Sequence, residues 1–347
     1  MRMIIILINT FQTMNLPKLY QILAFSLFLT ACDQSVNQDT LTVYTSRQPQ
    51  LIEPILDKYS EATGIDIVLL SGNAQQLLER IEVEGINSPA DLFITVDAGV
   101  LWQASQANIF EPISSSILTN NIPKNFRDPE GKWFGLSKRI RAIVVNDKGN
   151  QAPPKSYHEL AEKEWKNRLC LRTSAKVYNQ SLIASMLFRL SEEETHKILS
   201  GWSNNLATKV FSSDTLALKA VQSGQCDATI VNSYYLGRLI DQQIGNNLSI
   251  IWPDQESFGV HVNISGGGVL KTSNNKAEAV KLLEWLSGKE AQKDYAFVNL
   301  EYPVLQDQEL HPILKSWGNF KEDTMPVHQL GVLQRQAVLA ARKADYN

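Results

Sequence analysis

The sequence predicts an α/β protein of two lobes that face each other across a cleft. Strand-like and helix-like segments alternate along the chain, and the alternation restarts near residue 142. A chain of 347 residues, 44% hydrophobic and 20% charged, has enough apolar material for two packed units. TLTVYT opens the pattern as a strand. IEPILDKYSEATG then places Ile52, Ile55, Leu56 and Tyr59 at helical spacing, with Gly64 where a C-cap would fall. IDIVLL reads as a buried strand, AQQLLERIEVEG as a helix and LFITV as a strand. The second round is AIVVN, a helix around SYHELAE, RLCLR, a helix from Gln180, then KVFSS and ATIVN. AEAVKLLEWLSG reads as an amphipathic helix closed by Gly288. The rhythm predicts a parallel sheet covered on both faces, with ligand where strand ends meet. The expected boundaries are an N-terminal lobe at 41–141, completed by part of about 262–310, and a C-terminal lobe at 142–261. Helices within 311–347 would pack against the lobes. No internal repeat, low-complexity tract or glycine-rich phosphate loop interrupts this pattern.

Residues 1–31 contain two cations, Arg2 and Lys18, and no acid, and the chain turns polar at DQSVNQDT. From Met14, itself a candidate start, the segment has a basic residue, the apolar run ILAFSLFL and small residues before a cysteine, as an export signal does. The clean apolar run is short for a membrane span. LTAC resembles the lipobox of bacterial lipoproteins, which implies a signal peptide at 1–31, lipid on Cys32 and a linker at 32–40. Ordinary signal cleavage nearby is the alternative. Asp33 resembles a signal that retains lipoproteins at the inner membrane.

With Cys32 assigned to lipid, Cys170 and Cys226 remain, either bonded in an oxidising compartment or reduced in the core. The formal charge is −3, and without the first 31 residues 31 basic side chains face 36 acidic ones, a balance of −5. No basic run marks a nucleic-acid partner. GxSxG, HExxH and nucleotide-binding patterns are absent, so nothing points to an enzyme.

The residues that carry chemistry are tyrosines: Tyr178 in RTSAKVYNQSL, and the pair Tyr234 and Tyr235 in NSYYLGRL, after the strand ATIVN. Adjacent tyrosines at a strand-to-helix turn cannot both enter one core, so at least one faces the cleft. Arg238 falls four and three residues beyond the pair, beside both phenols, and Lys176 stands two residues from Tyr178. Nearby cations favour phenolate, a hard oxygen donor that suits a small, highly charged ferric ion. A surface aromatic pair stacking on a sugar or an amine would have the same spelling.

With NSYY and VYN on the page, the sequence resembles the periplasmic ferric-ion-binding proteins over nearly all of residues 41–325. Further matching segments are VYTSRQ, ERIEVEGINSPADLFITVDAG, KWFGLSKRIRAIVVN, CDATIVNSYYLGRL, HVNISGGGV, KAEAVKLLEWLSG and EYPVL. The resemblance implies a type II periplasmic-binding-protein fold and Fe3+ held by Tyr178, Tyr234 and Tyr235. Many members carry a His-Tyr dipeptide where this chain has Gln48 and Pro49. The chain therefore looks like the branch in which three tyrosines and a small anion such as carbonate complete the shell. In that branch the residues matching Gln48 and Arg139 hold the anion, and a cysteine pair matches Cys170 and Cys226. Arg141 and Arg238 are expected to stand behind the ligands. The implied partners are an ABC permease and its ATPase, with a lipid-anchored monomer at the extracytoplasmic face as carrier.

Other residues have structural readings. The alternation places Tyr44 in packing. His261 reads as a hydrogen-bonded structural histidine or as a cleft residue, and Asp91 and Asp97 as caps or backbone acceptors. The seven tryptophans look scattered. Competing functions are binding of a polyamine, phosphonate or oxyanion, or an extracytoplasmic hydrolase. Polyamine sites need acids among aromatics, and oxyanion sites use helix N-termini and hydroxyls.

Overall fold

The structure is a computed structural model that describes residues 40–148 and 152–347. The expected signal peptide, Cys32 and the linker up to residue 39 lie outside the described residues. β1 (Thr40–Thr45) leads into α1 (Pro49–Thr63), whose buried residues are Ile52, Ile55, Leu56 and Tyr59, those the spacing singled out. Gly64 ends this helix at φ 75°, a left-handed C-cap whose N–H donates to the Ser60 carbonyl. β2 (Asp66–Ser71), α2 (Ala74–Glu84), β3 (Leu92–Thr95), α3 (Ala98–Gln106) and α4 (Ser116–Asn121) follow. The 13-residue β4 (Phe134–Asn146) precedes β5 (Leu169–Cys170), α5 (Val177–Arg189), α6 (Glu192–Asn204) and α7 (Asp214–Gln222). Then come β6 (Ala228–Asn232), α8 (Ser233–Asp241), β7 (Leu248–Ile251), β8 (Val262–Val269), α9 (Lys276–Leu286), α10 (Lys289–Phe297) and β9 (Tyr302–Pro303). The C-terminal helices are α11 (Pro312–Ser316), α12 (His328–Val332) and α13 (Gln334–Lys343).

The strands run in the order β2-β1-β3-β8-β4-β6-β5, with β7 and β9 also on β4. Only β1 with β2 and β3, and β5 with β6, are parallel; β8 and β4 run antiparallel to their neighbours. The sheet is thus mixed rather than parallel, because two long strands lie side by side in opposite senses and need no helical crossover between them. β4 changes partner midway: Phe134 to Ile140 pair with β8, whereas Arg141 to Val145 pair with β6. Arg139 and Arg141, two residues apart and hence on one face, straddle that change, and both are buried.

Several local expectations give way. β2 is the sheet edge and only half-buried, with Val68 53% exposed. SYHELAE forms no α-helix, only a 3-10 turn at Glu159–Ala161. Its buried anchors, Tyr157 and Leu160, are three residues apart, the period of that turn. KVFSS contributes a single bridge between Phe211 and Arg172 rather than a strand. α5 starts at Val177, ahead of Gln180, which brings Tyr178 into the helix. Ser287, not Gly288, caps α9, and Gly288 opens α10. Trp252 is not scattered: it stacks on Phe320 at 4.1 Å and meets Trp317 and Tyr302 edge-on at 6.2 Å.

A disulfide joins Cys170 of β5 to Cys226, just before β6, inside a small core of Val144, Leu218, Val231, Leu236 and Leu239. It closes a loop with a sequence separation of 56, for which the chain-entropy model gives about 4 kcal/mol. The double substitution Cys170→Ser/Cys226→Ser should therefore lower unfolding stability by up to about that amount. Chemical denaturation of both forms in the absence of reductant measures the difference.

Candidate metal centre

Each candidate tyrosine stands in the first turn of a helix. β6 is buried along its whole length and ends at Asn232, and α8 begins at the next residue, so the turn delivers Tyr234 and Tyr235 side by side. Tyr178 is the second residue of α5. The neighbouring Asn179 fixes that helix start. Its Nδ2 donates to the Arg172 carbonyl and to the Tyr346 hydroxyl, each at 2.8 Å, and its Oδ1 accepts from Arg141 Nη2 at 2.5 Å. Arg141 and Arg172 both pair with buried Asp214 at 3.0 Å. Arg141 thus stands behind Tyr178.

Arg139 joins the two tyrosine sites. Its Nη2 donates to the Tyr234 hydroxyl oxygen at 2.5 Å and to that of Tyr178 at 3.3 Å. Asn232 Nδ2 also donates to Tyr234, at 2.9 Å. Tyr235 is half-buried, its ring 4.5 Å from that of Tyr234, and among the described residues its hydroxyl has no hydrogen-bond partner. The Arg238 guanidinium lies over both rings, at 4.9 Å from Tyr234 and 5.8 Å from Tyr235, where its spacing placed it. The cations over the Tyr178 ring are Arg139 and Arg172, at 5.4 and 5.3 Å, rather than the exposed Lys176.

The other edge of Arg139 is held by Glu301. Nη1 donates to Glu301 Oε1 at 2.8 Å, while Oε2 accepts from Arg47 Nη1 at 3.0 Å and from the Ser137 hydroxyl at 2.5 Å. Burial alone would raise this carboxyl, but Arg47 and Arg139 hold it down to about 2, so it stays ionised. Burial disfavours the charge on Arg139 in turn, and the ionised Glu301 beside it favours that charge. The phenols go the other way. Burial pushes Tyr234 well above the ordinary phenol range and Arg139 offsets only part of the rise; Tyr235 is raised by burial, then by Tyr178 and Asp214. The expectation that nearby cations favour phenolate is corrected for Tyr234 and Tyr235, because desolvation outweighs them.

Gln48 is exposed ahead of α1, its Oε1 accepting from Gln50 Nε2 at 3.0 Å, and it does not touch Arg139. The chain Arg47–Glu301–Arg139 links their neighbourhoods. Sequence reading passed over Arg47, Glu301 and Asn232, although VYTSRQ, EYPVL and NSYY contain them. Tyr44 packs and donates to Glu84 at 3.0 Å. His261 is buried and its ring is pushed down to about 3 by burial and then Arg141, and among the described residues Nε2 has no partner, so the hydrogen bond expected of a structural histidine is not made there. Asp97 caps α3 through Val100 N–H, and Asp91 accepts from Thr42 N–H, as expected.

A cleft of about 820 Å³ opens beside Tyr178, with Ser46, Asn73, Arg172, Gln180 and Gln334 on its walls. A separate cavity of about 310 Å³, lined by Met186, Leu190, Ile198, Phe258 and His261, includes none of the three tyrosines. Among the described residues no group of three or more His, Cys, Asp or Glu could hold a metal ion. The clustered hard donors are the phenols. Their placement at two helix N-termini, where the peptide dipoles favour negative charge, suits them to bind as anions around a cation.

Residues 87–321 match the family described as bacterial extracellular solute-binding protein. The chain is 40% identical to Iron uptake protein A1 of Synechocystis over 329 residues, which covers 90% of this chain and 91% of the relative. It is 30% identical to the major ferric iron-binding protein of Neisseria meningitidis, covering 79% and 85%. Among solved structures, the Trichodesmium FutA protein in complex with iron and citrate superposes with a TM-score of 0.85 at 40% identity, covering 89% of this chain and 100% of that one. None of these relatives is named as an enzyme. By the family match and by these two long alignments, the chain belongs to the bacterial extracellular solute-binding proteins.

Proposed function

We propose that this protein captures ferric iron outside the cytoplasmic membrane and delivers it to an ABC importer, a permease with its ATPase. The observation that carries the reading is the meeting of phenols at one guanidinium: Arg139 Nη2 lies within hydrogen-bonding distance of Tyr234 and Tyr178, with the Tyr235 ring 4.5 Å from that of Tyr234. Two relatives are named for iron uptake and ferric iron binding, and the Trichodesmium structure holds iron with citrate. In this reading Tyr178, Tyr234 and Tyr235 bind Fe3+ as phenolates. Ionising a phenol of ordinary pKa at neutral pH costs roughly 4 kcal/mol, which only a strongly Lewis-acidic ion offsets.

An anion completes the shell, held by Arg139 and Gln48. Carbonate and citrate are the two candidates. The lobes meet at β4, with 41–141 on one side and 142–261 on the other, so all three tyrosines belong to the C-terminal lobe. The carrier acts as a monomer anchored by lipid on Cys32.

Tyr234→Phe/Tyr235→Phe removes two oxygens and little volume. It should abolish the visible tyrosinate-to-iron band while near-ultraviolet dichroism reports an intact fold. A band retained in the double variant would sink the ligand assignment. Proton linkage gives a second check. Tyr234 and Tyr235 are raised, hence protonated at neutral pH, and each phenol that binds must release its proton. Acidification therefore weakens binding, by up to about a thousandfold per pH unit for three phenols. Iron affinity between pH 8 and pH 5, corrected for iron hydrolysis, would be flat if other groups held the metal. For the anchor, mass spectrometry of the N-terminal peptide should find acyl chains on Cys32; an unmodified terminus beyond it would refute lipidation.

A further inference from the structure

We infer that Glu301 is a positioning residue that sets how much negative charge the anion at this site carries. The inference rests on the tyrosinate reading above and concerns a side chain that touches neither the phenols nor the cleft.

Its grounds are geometric. Glu301 is 1% exposed and divides its two oxygens between two arginines: Oε1 to Arg139, and Oε2 to Arg47 with help from Ser137. A guanidinium gripped along one edge keeps a fixed orientation, and the free edge of Arg139 is the one aimed at Tyr234 and Tyr178. Arg139 Nε, with Arg47 Nε and Nη2, is buried and has no partner among the described residues. The donors on this side of the site are therefore not exhausted by the protein.

Charge counting then sets the consequence. Five arginines (Arg47, Arg139, Arg141, Arg172, Arg238) reach the phenols directly or through one carboxylate, against two buried carboxylates, Glu301 and Asp214. That leaves three positive charges. Fe3+ with three phenolates is neutral overall and leaves the surplus unchanged, so the anion faces it in full. Glu301 is the carboxylate that contacts Arg139, so removing its charge enlarges the surplus where the anion would bind. In a buried site of intermediate dielectric, one unit charge at several ångströms is worth roughly tenfold in a binding constant for each charge on the ligand. Glu301 thereby tempers the preference for highly charged anions over singly charged ones.

The test loads full-length protein with iron in the presence of bicarbonate or citrate and reads the visible band and iron retention against a chelator. Glu301→Gln should raise the citrate-to-bicarbonate retention ratio by at least about tenfold. Glu301→Asp, which keeps the charge, should leave the ratio near wild type. Arg47→Met/Glu301→Gln removes one charge of each sign and should return the ratio toward wild type. A ratio within twofold of wild type in a folded, iron-binding Glu301→Gln protein overturns the inference, as does failure of the double variant to revert. If Glu301→Gln does not fold, Arg47→Met alone serves, since losing a cation must move the ratio the opposite way; no movement overturns the inference. Absence of the band from wild-type protein would instead bring down the iron reading itself.

Discussion

The contact on which the rest of the site depends is the grip of Glu301 on Arg139. A guanidinium inside a protein is costly unless its charge is balanced, and here one ionised carboxylate balances it and holds Nη1 while Nη2 faces the phenols. That nitrogen is what brings Tyr178 and Tyr234 together, although they come from different helices 56 positions apart in the chain. The strand architecture supplies the geometry. Arg139 and Arg141 leave the same face of β4 where it exchanges β8 for β6, so one strand serves two carboxylates, Glu301 and Asp214. Arg141 and Asp214 then hold Asn179 and Arg172, and with them the start of the helix that carries Tyr178.

The disulfide fits the same economy of positions. β5 is only two residues long and offers few ladder hydrogen bonds, yet the chain leaving it, through Arg172, leads directly to Tyr178. Tying Cys170 to Cys226 fastens β5 to the approach of β6, the strand that ends at the Tyr234–Tyr235 pair. The two tyrosine-bearing turns are thus covalently referenced to each other in a small core that short strands would hold poorly by themselves.

Much of this was legible in the sequence because the signals were local. The four buried residues of α1, the Gly64 cap, the turn after ATIVN and the placement of Arg238 over the tyrosine pair all follow from spacing within one element. What escaped was non-local. β4 was read only from AIVVN, since the charged residues of SKRIRAI look like loop; in fact Lys138, Arg139 and Arg141 each meet a carboxylate from another element. Glu301 is a lone acid in a short segment, and no pattern within reach of it announces two arginines at positions 47 and 139. SYHELAE misled because apolar residues three apart fit one turn of a 3-10 helix as well as an α-helix.

The protonation state of the phenols bears on selectivity. A site of preformed phenolates would attract any cation, including the abundant divalent ones. Burial instead holds Tyr234 and Tyr235 neutral despite Arg139, so on the proposed reading a metal must first displace protons that leave at a cost above the ordinary phenol's roughly 4 kcal/mol. A divalent ion with a preference for carboxylates and water gains too little from phenolate to offset that, whereas a small trivalent ion gains enough. The same protons give a route for release. On that reading they return when the anion departs or the surroundings acidify, and Arg139 Nη2 then donates to the Tyr234 and Tyr178 oxygens. On the proposed reading, burial that disfavours the charged phenols is therefore the feature that makes the site both selective in capture and able to let go.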